Sequence, residues 1–435
     1  MINVYIFAAY TCGLKTIIKA SIVKLKERKV IANFLNLSII QVSNVILLTI
    51  LYPIITLKIG IEAFGVFIFA NTFSNFAATF INYGTNQSGI RDIAENVGNK
   101  QQQSRVLNEI LTIRFLIFIA YIICLVVLSL TNLRYFSHVI FALPLVIAEV
   151  LNPLFFFTGI EKLKTYNQAN LVSKVLSLVL ILILIKNTED AILVNLILGS
   201  SSCLVFTYLL VIILKEKDFK LNIPAFSEIR TIAVDNFHLT INNASVQLQQ
   251  SIMIFVLARI HVPLVLGAYS ICDKVIWSAR MLIISISMAI YPKSVQVFAE
   301  GTASWRNYKT KFRKLITVAF MCLSISLFIF SDLVIYILSG THNSMASNFL
   351  KMMALVPTVA ALNSLNIIEL LIKKENTTLS KTAIFLACFA FLMTWLLTSF
   401  AATKWFGIYT LSIEITALFI YEYLINKSEK RWKNL

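Results

Sequence analysis

The chain has 435 residues, of which 58% are hydrophobic and only 14% are charged. A soluble domain rarely exceeds about half apolar residues, so this composition excludes an ordinary soluble protein and indicates a lipid environment. The net charge of +17 could suit nucleic acid, but no aromatic-interleaved basic patch accompanies it, so no nucleic-acid partner is expected.

Apolar runs of about 20 residues, each long enough to cross a bilayer, recur from residue 33 onwards. In chain order, the first set predicts spans at residues 34–57, 63–84, 108–130, 137–159, 166–186 and 190–214. The second set predicts spans at residues 235–258, 263–292, 313–338, 349–372, 378–400 and 405–426. The predicted fold class is all-α: a polytopic membrane protein with about 12 transmembrane helices in two six-helix lobes.

The same pattern predicts the domain organisation: an N-terminal segment 1–32, an N-lobe 33–214, a linker 215–234, a C-lobe 235–426 and a tail 427–435. The N-terminal stretch "MINVYIFAAYTCGL" lacks a basic start and a small-residue cleavage site. It is therefore expected to be an interfacial helix rather than a cleaved signal peptide.

Charge asymmetry predicts the orientation. With both termini in the cytoplasm, the cytoplasmic segments hold 28 Lys and Arg residues. The gaps on the opposite side hold five: Lys58, Arg134, Lys186, Arg259 and Lys404. This bias follows the positive-inside rule and predicts a multi-pass protein with cytoplasmic termini.

The second span ends in the polar stretch "INYGTNQSGIRDIAENVG", residues 81–98. We interpret it as the cytoplasmic end of that helix. Arg91 is expected to pair with Asp92 or to contact an anionic substrate, and a plain interfacial anchor is the alternative.

Charged residues inside spans usually face a wet cavity or a partner. Lys174 in the fifth span is a candidate anion ligand, with snorkelling to the interface as its alternative. Glu149 and Glu369 lie in the fourth and tenth spans, and Asp235 opens the seventh. Such carboxylates are candidates for carrying a coupling proton or Na⁺, and for each of them a structural hydrogen-bonding role is the alternative.

The seventh span, "DNFHLTINNASVQLQQS", is unusually polar. Because amides in lipid need partners, this helix is expected to line an aqueous cavity. Asn242, Asn243 and Gln247 are the candidate ligands for sugar hydroxyls. Separately, Pro53, Pro144, Pro153 and Pro357 fall inside spans, where proline kinks a helix.

The eighth span, "YSICDKVIWSARMLIISISMAIYP", carries the most charge. Lys274 and Arg280 are candidate anion ligands, with Trp277 between them, and Asp273 is a further coupling candidate. Asp273 and Arg280 are seven positions apart and share a helix face. An ion pair between them is therefore the structural alternative, and it would leave one basic residue to face an anion.

A weak internal repeat links the halves. Gly65-Val66-Phe67 aligns with Gly267-Ala268-Tyr269 at an offset of 202 residues, and both triplets open the second helix of a six-helix half. Such repeats are typical of duplicated transporters with a cavity between two lobes.

Several segments resemble the O-antigen flippases of the polysaccharide-exporter branch of the multidrug/oligosaccharidyl-lipid/polysaccharide (MOP) superfamily. They are "YPIITLKIGIEAFG" (52–65), "NYGTNQSGIRDIAEN" (82–96), "FFFTGIEKLK" (155–164), and "GAYSICDKV" (267–275) with "AIYPKSV" (289–295). One departure stands out, because that family often carries an acidic residue where this chain has Asn82.

The resemblance implies a MOP-type transporter fold in a bacterial inner membrane. It further implies transfer of an undecaprenyl-diphosphate-linked oligosaccharide, an O-antigen or capsular repeat unit, with contacts to a polysaccharide polymerase and a chain-length regulator. The alternative is a cation-coupled multidrug antiporter of the same fold, whose cavity should be acidic. An enzyme is not expected, because no long extramembrane segment is available, and neither a cofactor nor a metal site is indicated.

Overall fold

The computed structural model describes residues 50–131, 133–215, 219 and 222–433. The predicted interfacial segment and most of the first predicted span lie outside the described residues. Within the described part of the chain every regular element is a helix and no strand occurs. The predicted all-α class is therefore confirmed.

Eight helices form the N-lobe: α1 (residues 50–82), α2 (Thr85–Glu95), α3 (Lys100–Ser129), α4 (Phe136–Phe141), α5 (Leu143–Leu151), α6 (Leu154–Gly159), α7 (Leu163–Leu184) and α8 (Ala191–Leu214). Eight more form the C-lobe: α9 (Phe226–Ile260), α10 (Pro263–Ala299), α11 (Thr302–Ile329), α12 (Ser331–Ser339), α13 (Ser344–Met353), α14 (Val356–Ile372), α15 (Asn376–Phe400) and α16 (Ile408–Lys433). In the N-lobe α5 and α7 pack on α8, and in the C-lobe α14 packs on α10, α11 and α16.

Helix α1 contains the end of the first predicted span and the whole of the second. Gly60 within it has φ +79°, in the left-handed region that glycine adopts without a Cβ clash. Tyr52 packs on Phe64 and Phe67, with ring centroids 5.8 Å and 6.4 Å apart. Residues 12 and 15 positions apart in a straight helix would be about 18 Å and 22 Å apart, so the chain reverses at Gly60.

Nine helical stretches of the described chain, or ten counting the bent α10, are long and apolar enough to cross a membrane. One of those stretches, Ile50–Glu95, holds the end of the first predicted span and the whole of the second, on either side of the reversal at Gly60. The 35-residue α9 is long enough but too polar for that criterion. The described helices therefore cover eleven of the twelve predicted spans and the end of the first.

Three prolines mark helix breaks, as their positions in the sequence predicted. Helix α5 begins one residue before Pro144, α6 follows Pro153, and α14 begins one residue before Pro357. Proline lacks an N–H and its ring clashes with the preceding turn. Pro53, by contrast, lies within continuous helix in α1.

Several helices extend beyond the predicted spans at the basic end of the molecule, the end that carries most of the Lys and Arg residues. Helix α9 begins at Phe226, inside the predicted linker, and α16 runs on to Lys433, inside the predicted tail. Hydropathy detects only the part of a helix that lies in hydrocarbon, whereas the backbone hydrogen bonds continue into the polar interface.

The largest apolar core joins the two lobes at the end opposite the basic end. A Cβ added to Gly65 would lie 2.5 Å from the backbone nitrogen of Gly267 and 2.7 Å from its Cα. Carbon atoms normally make contact at about 3.5–4.0 Å, so only glycine permits this approach. Gly65 and Gly267 are also aligned with each other in the internal repeat, at an offset of 202 residues. The two six-helix halves therefore contact each other at equivalent positions.

Candidate functional site

A cavity of about 570 Å³ lies between the lobes, within the range of about 300–1,000 Å³ that ligand pockets occupy. Helices α1, α2 and α5 line it on the N-lobe side, and α9 and α10 line it on the C-lobe side. Seven residues that the sequence singled out line this central cavity: Arg280, Lys274, Trp277, Asn243, Gln247, Asp273 and Glu149. These seven residues lie on α5, α9 and α10, so residues from both halves of the sequence converge on one site.

The charged residues of α10 are paired differently from the sequence expectation. Lys274 Nζ lies 3.1 Å from Asp273 Oδ2, and Arg280 Nη2 lies 2.7 Å from Glu414 Oε1 on α16. The Asp273–Arg280 pair, which the sequence offered as the structural alternative, is absent from the ion pairs of the described residues. Seven residues span about 10 Å along a helix, so each charge instead pairs with a nearer partner.

Under that alternative one basic residue would have remained unpaired, whereas both have a carboxylate partner. Both cations nevertheless keep unused hydrogen-bond donors. The Nε of Arg280 is buried and has no partner among the described residues, and an ammonium group such as that of Lys274 carries three donors. Both oxygens of Glu414, in contrast, are occupied, because Asn363 donates to Oε2 at 2.7 Å.

Glu149 is the N-lobe carboxylate of the cavity. Asn82 donates to its Oε1 at 2.6 Å and Asn152 donates to its Oε2 at 3.1 Å. Asn82 is the position where the resembling family often has an acid. Here the carboxylate of the fourth predicted span lies against that position instead.

Arg114 on α3 is a residue whose role sequence reasoning missed. Its guanidinium is fully buried and donates to Thr85 Oγ1, Asn86 Oδ1 and the carbonyl oxygens of Glu149 and Asn152, at 2.8–3.2 Å. These acceptors belong to the start of α2 and to the break between α5 and α6. A buried arginine is tolerated only with such partners, so Arg114 fixes two broken helices beside the cavity.

The second span carries a polar stripe that sequence reasoning also missed. Asn71, Asn75 and Thr79 line the cavity at intervals of four residues, and Asn82 and Asn86 continue the row. Asn75 donates to Asn71 at 2.9 Å, and Asn71 donates to Asn195 on α8 at 3.0 Å. The four-residue spacing, which places residues on one helix face, was the available signal.

Five predicted site residues lie away from the central cavity. Asn242 on α9 is not among its lining residues, and Asp235 is exposed near the start of that helix. Lys174 lies on α7, where its Nζ is buried without a partner among the described residues. Arg91 lies at the basic end on α2, with its Nε 2.9 Å from Asp92 Oδ1, so the expected ion pair is present.

Glu369 is the fifth of these residues. It is 1% exposed and accepts from Lys309 at 2.5 Å and from Lys373 at 2.7 Å. Sequence reasoning had placed it in the tenth span without a partner. The two lysines come from the predicted cytoplasmic gaps. Their pairing with Glu369 was not predicted, because partners were sought only within the spans.

Two smaller cavities adjoin the central one. A cavity of about 280 Å³ inside the C-lobe shares Asp273 and Arg280 with it and contains Glu414 and Asn363. A crevice of about 190 Å³ between α1, α10 and α12 shares Tyr52 and Lys274 with it. The remaining crevice walls are mostly apolar: Pro53, Thr56, Phe64, Ile271, Val275, Ser278, Val334 and Leu338.

Solved structures with this fold are membrane transporters. The chain superimposes on the lipid II flippase MurJ in an inward closed conformation with a TM-score of 0.72 and 12% identity, covering 91% of this chain and 87% of that one. An inward-facing multidrug resistance MATE family transporter of the MOP superfamily gives 0.69 and 14% identity, covering 90% and 99%. At such low identity these matches show the MOP-type fold alone.

Sequence comparison adds the family. A protein of Escherichia coli (strain K12) named "Putative O-antigen transporter" is 22% identical over 264 residues. That match spans 60% of this chain and 64% of the relative, which is less than two thirds of its length. The profile of the polysaccharide biosynthesis protein family matches residues 30–298, more than half of the chain. The chain is therefore a multi-pass membrane protein that belongs to the polysaccharide biosynthesis protein family.

Proposed function

We propose that this protein is a flippase that moves an undecaprenyl-diphosphate-linked oligosaccharide across the bacterial inner membrane by alternating access. The observation that carries the proposal is the central cavity, which has cations with spare donors on the C-lobe side and amides on the N-lobe side. A diphosphate cannot cross hydrocarbon unaided, and it is bound by charge-assisted hydrogen bonds from Lys and Arg.

The balance of donors and acceptors favours an anion. Both oxygens of Glu149 and both oxygens of Glu414 already accept hydrogen bonds. Arg280 and Lys274 keep donors available. Although the cavity carries charges of both signs, its unused hydrogen-bonding capacity is therefore on the cationic side, where a diphosphate would bind.

The sugars would contact the amide-rich walls. Amide groups both donate and accept hydrogen bonds, which suits hydroxyl groups of differing orientation. The amides lining the cavity are Asn71, Asn75, Asn82, Asn86, Gln87, Asn243, Gln247 and Gln250. Trp277 offers an aromatic face on the C-lobe side.

The polyprenyl tail would leave through the crevice between α1, α10 and α12. Its walls are mostly apolar, and Lys274 borders both the crevice and the central cavity. A lipid with its diphosphate at Lys274 could therefore keep its tail in hydrocarbon while its sugars stay in the cavity.

Ion coupling would act through the Arg280–Glu414 contact. Binding of the coupling ion at Glu414 would release Arg280 to the diphosphate, and loss of that ion would restore the pair and expel the anion. Asp273 and Glu149, which also line the central cavity, are further candidates for binding H⁺ or Na⁺. Glu369 and Asp235 remain coupling candidates only through conformational change, since neither lines this cavity.

The functional alternative is a cation-coupled multidrug antiporter, for which the carboxylates Glu149 and Asp273 in the cavity wall are the supporting observation. The occupied oxygens of Glu149 argue against it, because a cationic drug would have to displace both amide donors. No catalytic role is proposed for any residue. A polysaccharide polymerase and a chain-length regulator remain the proposed protein partners.

The test is a flipping assay in proteoliposomes with a fluorescent undecaprenyl-diphosphate-linked oligosaccharide. Lys274→Gln and Arg280→Gln should each abolish most of the flipping, while Arg259→Gln, which removes the same charge from an exposed position on α9, should leave it unchanged. Flipping at the wild-type rate in both cavity variants would refute the anion site. Efflux of ethidium without movement of the lipid would favour the antiporter.

A further inference from the structure

A second cavity, of about 680 Å³, lies at the basic end of the C-lobe between α11, α14 and α16. We call it the basic groove, and it is separate from the central cavity in every lining residue. Its walls carry four cations, Arg306, Lys309, Arg313 and Lys314, and one carboxylate, that of Glu422. The groove therefore has a net positive lining.

Not all of this charge is neutralised within the protein. Lys309 pairs with Glu369 and Arg313 pairs with Glu422. Arg306 and Lys314, in contrast, form no ion pair with any described residue. Both side chains are exposed, so their charges face the groove mouth and the solvent.

An unpaired donor at the base of the groove points to the ligand. Asn366 on α14 lines the groove and is 1% exposed, yet its Nδ2 has no hydrogen-bond partner among the described residues. A buried amide donor is costly unless an acceptor satisfies it. A cluster of cations around an unsatisfied N–H is the environment that a phosphate oxygen would complete.

The apolar surface beside the groove indicates that the phosphate belongs to a lipid. Val318 on α11 forms part of the groove wall and is 63% exposed, and Leu315 is 66% exposed. Ile325 and Phe328 continue this exposed apolar surface along α11. Basic pockets between transmembrane helices, with hydrocarbon-facing side chains below them, suit the headgroups of anionic phospholipids.

We propose that the basic groove binds an anionic phospholipid, with its phosphate at Asn366, Arg306 and Lys314 and an acyl chain along the exposed face of α11. The predicted orientation places this groove at the cytoplasmic leaflet. The lipid would attach the C-lobe to the membrane surface at a site that the transported substrate does not use.

The experiment is native mass spectrometry of the full chain in detergent, titrated with phosphatidylglycerol or with phosphatidylcholine of the same acyl chains. The wild type should bind phosphatidylglycerol in preference. Lys314→Gln should weaken that binding about fivefold, since one basic residue near an anionic lipid contributes about 1 kcal/mol. The Arg306→Gln/Lys314→Gln pair should weaken it about 25-fold.

Lys311→Gln is the matched control, because Lys311 is exposed on the same helix but does not line the groove. It should change the affinity by less than about twofold. Asn366→Leu removes the buried donor without altering charge, and it should weaken phosphatidylglycerol about tenfold. Together these variants distinguish a built site from the general charge of the interface.

Three outcomes would overturn the proposal. Equal losses in Lys311→Gln and Lys314→Gln would mean that only diffuse interfacial charge attracts the lipid. Equal binding of the two phospholipids by the wild type would mean that the groove recognises no headgroup. Binding of inorganic phosphate as tight as that of phosphatidylglycerol would assign the groove to a soluble anion.

Discussion

The contact between Gly65 and Gly267 provides the sharpest test of how the lobes close. In Gly65→Ala the new Cβ would lie 2.7 Å from Gly267 Cα and 2.5 Å from its backbone nitrogen. Relief to the usual contact distance of about 3.5 Å requires the two helices to separate by about 1 Å. Both neighbouring atoms belong to backbone, so no side-chain rotation can provide that space.

Overpacking of this kind costs about 1–3 kcal/mol. If the lobes are free to rock, the overpacking destabilises only the arrangement in which the lobes touch at Gly65 and Gly267, at the end opposite the basic end. A bias of 1–3 kcal/mol changes the ratio of two states by about 5–150-fold. Gly65→Ala should therefore shift the protein towards an arrangement in which this end is open, and Gly267→Ala should do the same from the other side.

The assay is a distance measurement between spin labels at Leu130 and Phe400, exposed positions at the same end of the N-lobe and the C-lobe. A background without native cysteines carries the labels. Gly65→Ala should add a population at longer distance. Asn348→Ala, which truncates an exposed side chain on α13, is the control. Superimposable distributions for the wild type and Gly65→Ala would refute the reasoning.

Three further predictions concern the central cavity. Glu414→Gln should tighten binding of inorganic pyrophosphate about tenfold by calorimetry, because Arg280 loses its charged competitor. Arg114→Met should destabilise the protein by about 3 kcal/mol, seen as a lower Tm in detergent, because four acceptors, two of them buried, lose a charged donor. Asn75→Leu should weaken oligosaccharide binding about fivefold and leave pyrophosphate binding unchanged, since its amide lies on the N-lobe wall, opposite the cations.

Each of these three predictions would be contradicted by a specific result. Unchanged pyrophosphate affinity in Glu414→Gln would show that the carboxylate does not compete with the ligand. A wild-type Tm in Arg114→Met would show that the breaks around α2 and α6 hold without the guanidinium. Equal loss of pyrophosphate and oligosaccharide binding in Asn75→Leu would indicate that the cavity itself had changed shape.

Membrane spans could be predicted because lipid imposes the same local requirement on every crossing helix. Twenty apolar residues in a row are visible without knowing any neighbour. The exceptions are informative: α9 is a span whose amides face an aqueous cavity, and the break at Gly60 was placed correctly because glycine and Lys58 interrupt the apolar run. Helix ends at the basic side were misjudged, because helices there continue beyond the hydrocarbon.

The candidate site could be predicted in part. Lys274, Arg280 and Trp277 were identified because charge and aromatic residues inside a span are conspicuous. Asn71 and Asn75 of the amide stripe were missed, because single asparagines among apolar residues are less conspicuous than a charge. Its four-residue spacing could have been counted.

The sequence by itself determined the all-α class, the apolar helices and the helix that carries the cationic part of the cavity, because each depends on residues close together in the chain. Only the tertiary structure decided which charges pair. Arg280 meets Glu414 across 134 residues, and Asn82 meets Glu149 across 67. Hydrogen bonds and ion pairs depend on distances of about 3 Å, which are fixed only when all the helices have packed.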